Sequence, residues 1–318
     1  RQGCIPYRKE RIRMNRSNPD QGSPARTSKV LFETIAVVGV GLIGGSLSRA
    51  ARERGLVSRI VGLGRGQENL RKALELGVID AMETDWSKGM RDAGLVVLAT
   101  PVESIVQLFP KIGTLCGDDT VVTDVGSVKG SVVREAERTL TRPSRFVGGH
   151  PIAGTENSGV EASFSSLFTD RKTILTPTEG TDPEALDRVR RLWEEIGSNV
   201  VVMDTGNHDR VMGFVSHLPH VVAYALVHTI YSEDQREGDL ARFSAGGFLD
   251  FTRIASSHPE MWRDICVMNR EALLEAVDTF ALTLHKFRAM ISSEDGKGLE
   301  EHFDQCRRTR ANLLKMKK

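Results

Sequence analysis

Three short runs in this chain gather residue types that move protons or hold polar ligands. They are Thr123-Asp124-Val125-Gly126-Ser127-Val128-Lys129, Gly148-Gly149-His150-Pro151-Ile152-Ala153-Gly154-Thr155-Glu156 and Ser216-His217-Leu218-Pro219-His220. An imidazole with an ordinary pKa of about 6.5 is mostly neutral near pH 7 and can accept a proton there. His150 is the strongest candidate base, because the small residues around it leave room for a ligand. His217 and His220 are three apart on a predicted helix and share a face, with Pro219 expected to kink it. No acidic or thiol side chain stands at ligand spacing from this pair, so no metal site is expected.

A fourth run carries different chemistry. Ile35-Ala36-Val37-Val38 reads as a strand that passes directly into Gly39-Val40-Gly41-Leu42-Ile43-Gly44 and then a small-residue helix. This is the G-x-G-x-x-G pattern in its strand-turn-helix context. Gly39 permits the tight turn, Gly41 lets backbone N–H groups approach a diphosphate, and Gly44 lets helix and strand close on one another. The start of the helix, at Leu42 and Ile43, offers unpaired N–H donors and the positive end of its dipole. A dinucleotide is the expected ligand. At the end of the second strand, where a carboxylate would bind ribose hydroxyls, the chain reads Gly62-Leu63-Gly64-Arg65-Gly66. The absent carboxylate removes a repulsion, and Arg65 supplies a partner for a 2′-phosphate. NADP is therefore the preferred expectation. If Arg65 points to solvent, NAD or NADP is accepted.

These residues need a frame. Between Thr34 and about Asp204, Val- and Ile-rich runs alternate with helical stretches, the pattern of βαβ units in a mostly parallel sheet. Strands are predicted at 35–38, 60–63, 95–99, 121–125, 146–148, 172–176 and 199–202. Helices are predicted at 45–53, 67–76 and 184–196. Polar residues at the carboxyl ends of such strands line the ligand crevice. Beyond Asn207 the strand runs stop, and helical spacing covers 210–230, 261–290 and 299–314, with a Gly-rich break near 244–248. The expected fold class is α/β: a Rossmann-type dinucleotide-binding domain at 34–206, then an all-α domain at 207–318. The polar, basic stretch at 1–33 reads as a disordered extension. Long amphipathic helices predict a homodimer, although an intramolecular bundle would leave the same stripes.

Bulk properties narrow the partners. A net charge of +1 gives no global reason for nucleic acid or an anionic membrane as partner. The 4 cysteines form no C-x-x-C pair, as expected of reduced thiols in the cytoplasm. No uninterrupted apolar run reaches the roughly 18 residues that span a bilayer.

Taken together, the motifs resemble the prephenate/arogenate (cyclohexadienyl) dehydrogenase family. The resemblance adds Ala99-Thr100-Pro101-Val102, Asp250-Phe251-Thr252-Arg253-Ile254-Ala255 and Met261-Trp262-Arg263-Asp264 to the runs above, and covers most of the chain from Ile35. It implies oxidative decarboxylation of prephenate, arogenate or both, with hydride passing to NADP or NAD, in tyrosine biosynthesis. It implies His150 as catalytic base, with Ser127 orienting it and the substrate, and Arg253 binding a substrate carboxylate. Thr155 and Glu156 would shape the pocket, His220 would touch substrate, and Trp262 is either a pocket wall or a core aromatic. Thr100 and Pro101 would contact the cofactor. His208 has no motif around it and reads as ordinary. Two rivals remain: a β-hydroxyacid-type dehydrogenase, which would need a Lys in the helical half, and a nicotinamide-sensing protein without catalysis.

Overall fold

The computed structural model describes residues 30–155 and 157–315. Glu156 and most of the expected N-terminal extension therefore lie outside the described residues.

Eight strands build one sheet: β1 (Phe32–Val38), β2 (Val57–Leu63), β3 (Ala81–Glu83), β4 (Leu95–Leu98), β5 (Val121–Asp124), β6 (Phe146–Pro151), β7 (Lys172–Thr176) and β8 (Asn199–Val202). Their spatial order is β3-β2-β1-β4-β5-β6-β7-β8. β1 to β6 pair in parallel, β7 runs antiparallel to β6, and β8 is parallel to β7. Order begins before the expected residue 34: Phe32 already belongs to β1, and the Leu31 N–H donates to Leu56 O. The short β3 was not foreseen, because Ala81-Met82-Glu83 has neither β-branched residues nor alternation.

Both faces of the sheet are buried, which is why its strands read as continuous apolar runs. Along β1, Ile35 and Val37 enter one core while Ala36 and Val38 enter the other. Helices α1 (Leu42–Glu53) and α2 (Gln67–Glu75) cover the first face, α3 (Trp86–Met90), α4 (Val102–Leu115) and α5 (Gly130–Thr139) cover the second, and α6 (Pro183–Glu195) returns to the first. The start of α6 has local causes: the Asp182 carboxylate accepts the Glu184 N–H at 2.9 Å, and Pro183 occupies the first turn.

The helical half follows as α7 (Thr205–Met212), α8 (Leu218–Glu237), α9 (Gly246–Thr252), α10 (Pro259–Met268), α11 (Arg270–Ser292) and α12 (Gly296–Lys315). Its first helix starts at Thr205, two residues before the expected boundary. The kink foreseen at Pro219 takes the form of a π-helical turn over Gly213–His217, where the ladder rearranges ahead of the residue that lacks an N–H. The expected continuous helix at 261–290 is broken at Asn269. Trp262 and Ile265 of α10 enter the second-face core, so the two halves share packing.

Much apolar surface of the helical half is uncovered. Tyr231 on α8, Leu282 and Ile291 on α11 and Phe303 on α12 each expose more than half their area (57–64%). The helical stretch Thr205–Arg236 is, by length and composition, apolar enough to cross a bilayer, with 22% of its most apolar segment buried. The sequence reading missed it by counting only uninterrupted apolar runs.

Candidate active site

Because β1, β4, β5 and β6 are parallel, their carboxyl ends open along one edge of the sheet, and the order reverses between β1 and β4. The glycine loop sits at that reversal. Gly39 has φ +91°, a conformation L side chains rarely adopt, and a Cβ there would lie 2.7 Å from Ala99 O and 2.9 Å from Thr100 Cγ2. A Cβ on Gly44 would meet Gly39 O at 2.3 Å, so this glycine is what lets α1 close on β1. At Gly41 a Cβ would meet nothing within 4 Å. That open space lies at the N-cap of α1, which has no side-chain cap, so the first-turn N–H groups at Leu42, Ile43 and Gly44 face it without a side-chain partner.

Thr100 abuts this loop, and its Oγ1 is buried with no partner; Pro101 is the exposed N-cap of α4. Arg65 is exposed just beyond the end of β2, and β2 meets the loop through the Gly39 N–H, which donates to Leu63 O. These residues fit a dinucleotide: an uncapped helix start, a gap where a side chain would intrude, and an orphan hydroxyl beside it.

His150 lies within β6, paired opposite Ile174 of β7. The ring is 9% exposed, and its Nδ1 lies 2.8 Å from Nε2 of His208 on α7. Nδ1 of His208 lies in turn 2.8 Å from Oδ1 of Asp209. Asp209 also accepts the N–H groups of Lys129 and Gly130 at 2.8 Å each, tying α7 to the first turn of α5. His150 Nε2 has no protein partner among the described residues. Burial, followed by the neighbouring His208, Lys129 and His217, holds its pKa well below the ordinary imidazole value. The ring is neutral at pH 7.

The Ser127 loop is fastened to the strand beside His150. The Asp124 carboxylate accepts the N–H groups of Gly126 and Gly149 at 2.8 and 3.1 Å. The Lys129 ammonium, fully buried, pairs with Asp124 and donates to Gly149 O at 2.8 Å. Burial lowers the Lys129 pKa, with the Asp124 charge opposing it. Ser127 itself is half-buried and makes no hydrogen bond to His150; the bond on that ring comes from His208.

His217 and His220 both meet Trp262. The His220 ring stacks on the indole with centroids 3.6 Å apart, and His217 meets it edge-on at 6.0 Å. The shared face expected from their spacing is therefore present. Asn269 donates to His217 Nδ1 at 2.9 Å, leaving His217 Nε2 a buried atom without a partner, as is Trp262 Nε1. Burial lowers the His217 pKa to about 4. His220 bonds Ser216 O through Nδ1 at 3.0 Å. Burial also lowers its pKa, and the Arg253 charge adds to this, which places that guanidinium within electrostatic reach. Arg253 is exposed, with no ion-pair partner among the described residues, rather than a surface salt-bridge residue. Trp262 takes the core position of its two expected readings, 7% exposed, with its indole stacked against the His220 ring. Thr155 stands apart on an exposed loop, where its Oγ1 accepts the Asn157 N–H at 3.2 Å.

The reading of His208 as ordinary was wrong in this respect: it is fully buried against His150. Asp209 and Asn269 were likewise passed over, and Lys129 was singled out only as part of its run. The adjacent His208-Asp209 pair was the one available signal, and a lone His-Asp dipeptide is common on helix surfaces.

Comparison with known proteins finds the same two-part organisation of the chain. Residues 47–202 match the family profile described as "Prephenate dehydrogenase, nucleotide-binding domain", and residues 204–305 match "Prephenate dehydrogenase, dimerization domain". The cyclohexadienyl dehydrogenase of Zymomonas mobilis is 38% identical over 288 residues, covering 89% of this chain and 97% of that protein. A crystal structure of prephenate dehydrogenase from Aquifex aeolicus, in complex with hydroxyphenyl propionate and NAD+, superposes with TM-score 0.84 at 40% identity, covering 88% of this chain and 98% of that one. Synechocystis arogenate dehydrogenase superposes with TM-score 0.76 at 31% identity, covering 88% and 99%.

Proposed function

The chain belongs to the prephenate dehydrogenase family, and on that premise we propose that it oxidatively decarboxylates prephenate, arogenate or both, with NAD(P), on the route to tyrosine. The observation that carries the reading is a neutral, buried His150 with an unpartnered Nε2 on the same sheet edge as the uncapped glycine loop.

The residues would divide the work as follows. Bound NAD(P) supplies the hydride acceptor, held by the first-turn N–H groups of α1 and by Thr100. His150 Nε2 takes the proton of the C4 hydroxyl as the C4 hydride leaves, so C4 becomes a carbonyl. The C1 carboxylate is then lost as CO₂, and the electron pair it leaves behind makes the ring aromatic. The proton held on His150 returns to the ring oxygen, giving a neutral phenol. Ser127 would hydrogen-bond the same hydroxyl. Arg253, exposed and without an ion-pair partner among the described residues, suits one substrate carboxylate, since a guanidinium can bind it through two parallel bonds. His220 and Trp262 form the apolar and stacking wall beside it.

NADP is the preferred cofactor in this proposal. Gly64 stands where a carboxylate would repel a 2′-phosphate, and Arg65 beside it is exposed and able to pair with one. The uncovered apolar faces of α8, α11 and α12 support a homodimer, because a second copy would bury them. Initial rates with prephenate and arogenate, each with NAD and NADP, test the whole reading. Turnover of either acid is expected, faster with NADP; no turnover in all four, with cofactor binding demonstrated separately, would overturn it.

A further inference from the structure

Three side chains from two halves of the molecule form a line: the buried His150 on β6, then the buried His208 and the partly buried Asp209 on α7. Hydrogen-bond logic fixes every proton along it. A carboxylate only accepts, and Asp209 Oδ1 lies 2.8 Å from His208 Nδ1, so that nitrogen carries the hydrogen. Oδ1 also accepts the Lys129 N–H and Oδ2 the Gly130 N–H, both backbone donors, so the carboxylate cannot turn away. A neutral His208 protonated on Nδ1 has a bare Nε2, which must accept. The hydrogen between the rings therefore belongs to His150 Nδ1, and the lone pair of His150 is left on Nε2.

We propose that His208 and Asp209 are positioning residues that hold His150 in its Nδ1–H form, with Nε2 free to take the substrate proton, and that the Asp209 carboxylate stabilises the charge the ring then gains. The inference rests on His150 being the base. It answers a difficulty in the site: burial opposes a charged imidazole, yet proton abstraction makes one. The groups facing His150 are Asp124 and Lys129 from the β5–α5 segment, His208 and Asp209 from α7, and His217 from the π-helical turn. Lys129 is paired with Asp124, and His217 accepts from Asn269, so Asp209 is the anion reached through a hydrogen bond of the ring itself. The arrangement also makes the base depend on the docking of α7 against α5, since one carboxylate serves both.

Two readouts test this. Imidazole ¹⁵N NMR of the apo protein should show His150 as the Nδ1–H tautomer, a measurement that needs no turnover. Kinetics compare His208→Gln, His208→Leu and Asp209→Asn with the wild type, on whichever acid it oxidises. Gln retains an acceptor toward His150 and a donor toward Asp209, so His208→Gln should stay within about tenfold of wild-type kcat, whereas His208→Leu should lose on the order of 10²-fold or more, with the cofactor KM within about threefold. In Asp209→Asn the counter-charge is gone, protonation of His150 becomes harder, and the acid limb of kcat/KM should move to lower pH as kcat falls. An Nε2–H tautomer, wild-type kcat in His208→Leu, equal losses in the Gln and Leu variants, or an unmoved acid limb in folded Asp209→Asn would each overturn the relay. Should Asp209→Asn fail to fold, the His208 pair and the NMR decide. If the wild type oxidises neither acid, the proposed function fails, while the tautomer measurement still judges the relay.

Discussion

His150 and His208, 58 residues apart in the chain, meet ring nitrogen to ring nitrogen at 2.8 Å in a buried setting where strand β6 faces helix α7. The contact joins the dinucleotide-binding half to the helical half at the proposed base. Replacing His150 by Asn removes the proposed base but keeps a polar side chain. Turnover should fall on the order of 10²-fold or more, with dinucleotide binding by fluorescence titration unchanged. An unaltered rate would remove His150 as the base.

The environment of His150 sets the pH at which activity fades. Burial, with His208, Lys129 and His217 close by, lowers its pKa well below the ordinary value. With the neutral ring as the proposed active form, kcat/KM should hold its plateau as pH drops through about 6.5 and decline only below it. A pH profile with its acid midpoint at or above that value would contradict the buried geometry.

Two glycines of the loop should fail differently. A methyl at Gly41 meets no protein atom within 4 Å but enters the space where a diphosphate would lie. Gly41→Ala should therefore keep its melting temperature while the dinucleotide Kd rises about tenfold or more. At Gly44 the methyl would sit 2.3 Å from Gly39 O, and Gly44→Ala should cost about 1–3 kcal/mol of stability in a denaturant titration.

Cofactor choice can be isolated at one side chain. Arg65 is exposed, so Arg65→Ala should leave folding and the NAD KM unchanged. The NADP KM should rise about tenfold, the loss of one charge-assisted phosphate contact. Equal KM changes for both cofactors would dissociate Arg65 from the 2′-phosphate.

His217 links stability to pH. Its folded pKa, about 4, lies below the ordinary value of 6.5. Between these values the unfolded chain holds a proton that the folded protein refuses, so stability is full above pH 6.5 and is lost as pH falls toward 4. This one group should weaken the fold by about 2 kcal/mol between pH 7 and 5. Melting curves of the wild type and His217→Gln over that range should show the shallower pH dependence in the variant; parallel curves would place the protonation elsewhere.

Much of the protein could be read along the chain because its signals are local. The glycine loop works through backbone conformation at Gly39 and close packing at Gly44, which residue type alone dictates, and the β-strands buried on both faces announce themselves as Val-Ile runs. His217, His220 and Trp262 were found from helical spacing and from the family resemblance. The Asp209 contacts to Lys129 and Gly130, and the His208 contact to His150, left no such trace, because they join residues 58 to 80 positions apart whose own neighbours are unremarkable. The sequence by itself determined which residue types were available for binding a dinucleotide and for accepting a proton. Only the tertiary structure decided which partner the His150 ring meets, since His208 lies across the fold and arrives when α7 packs against α5.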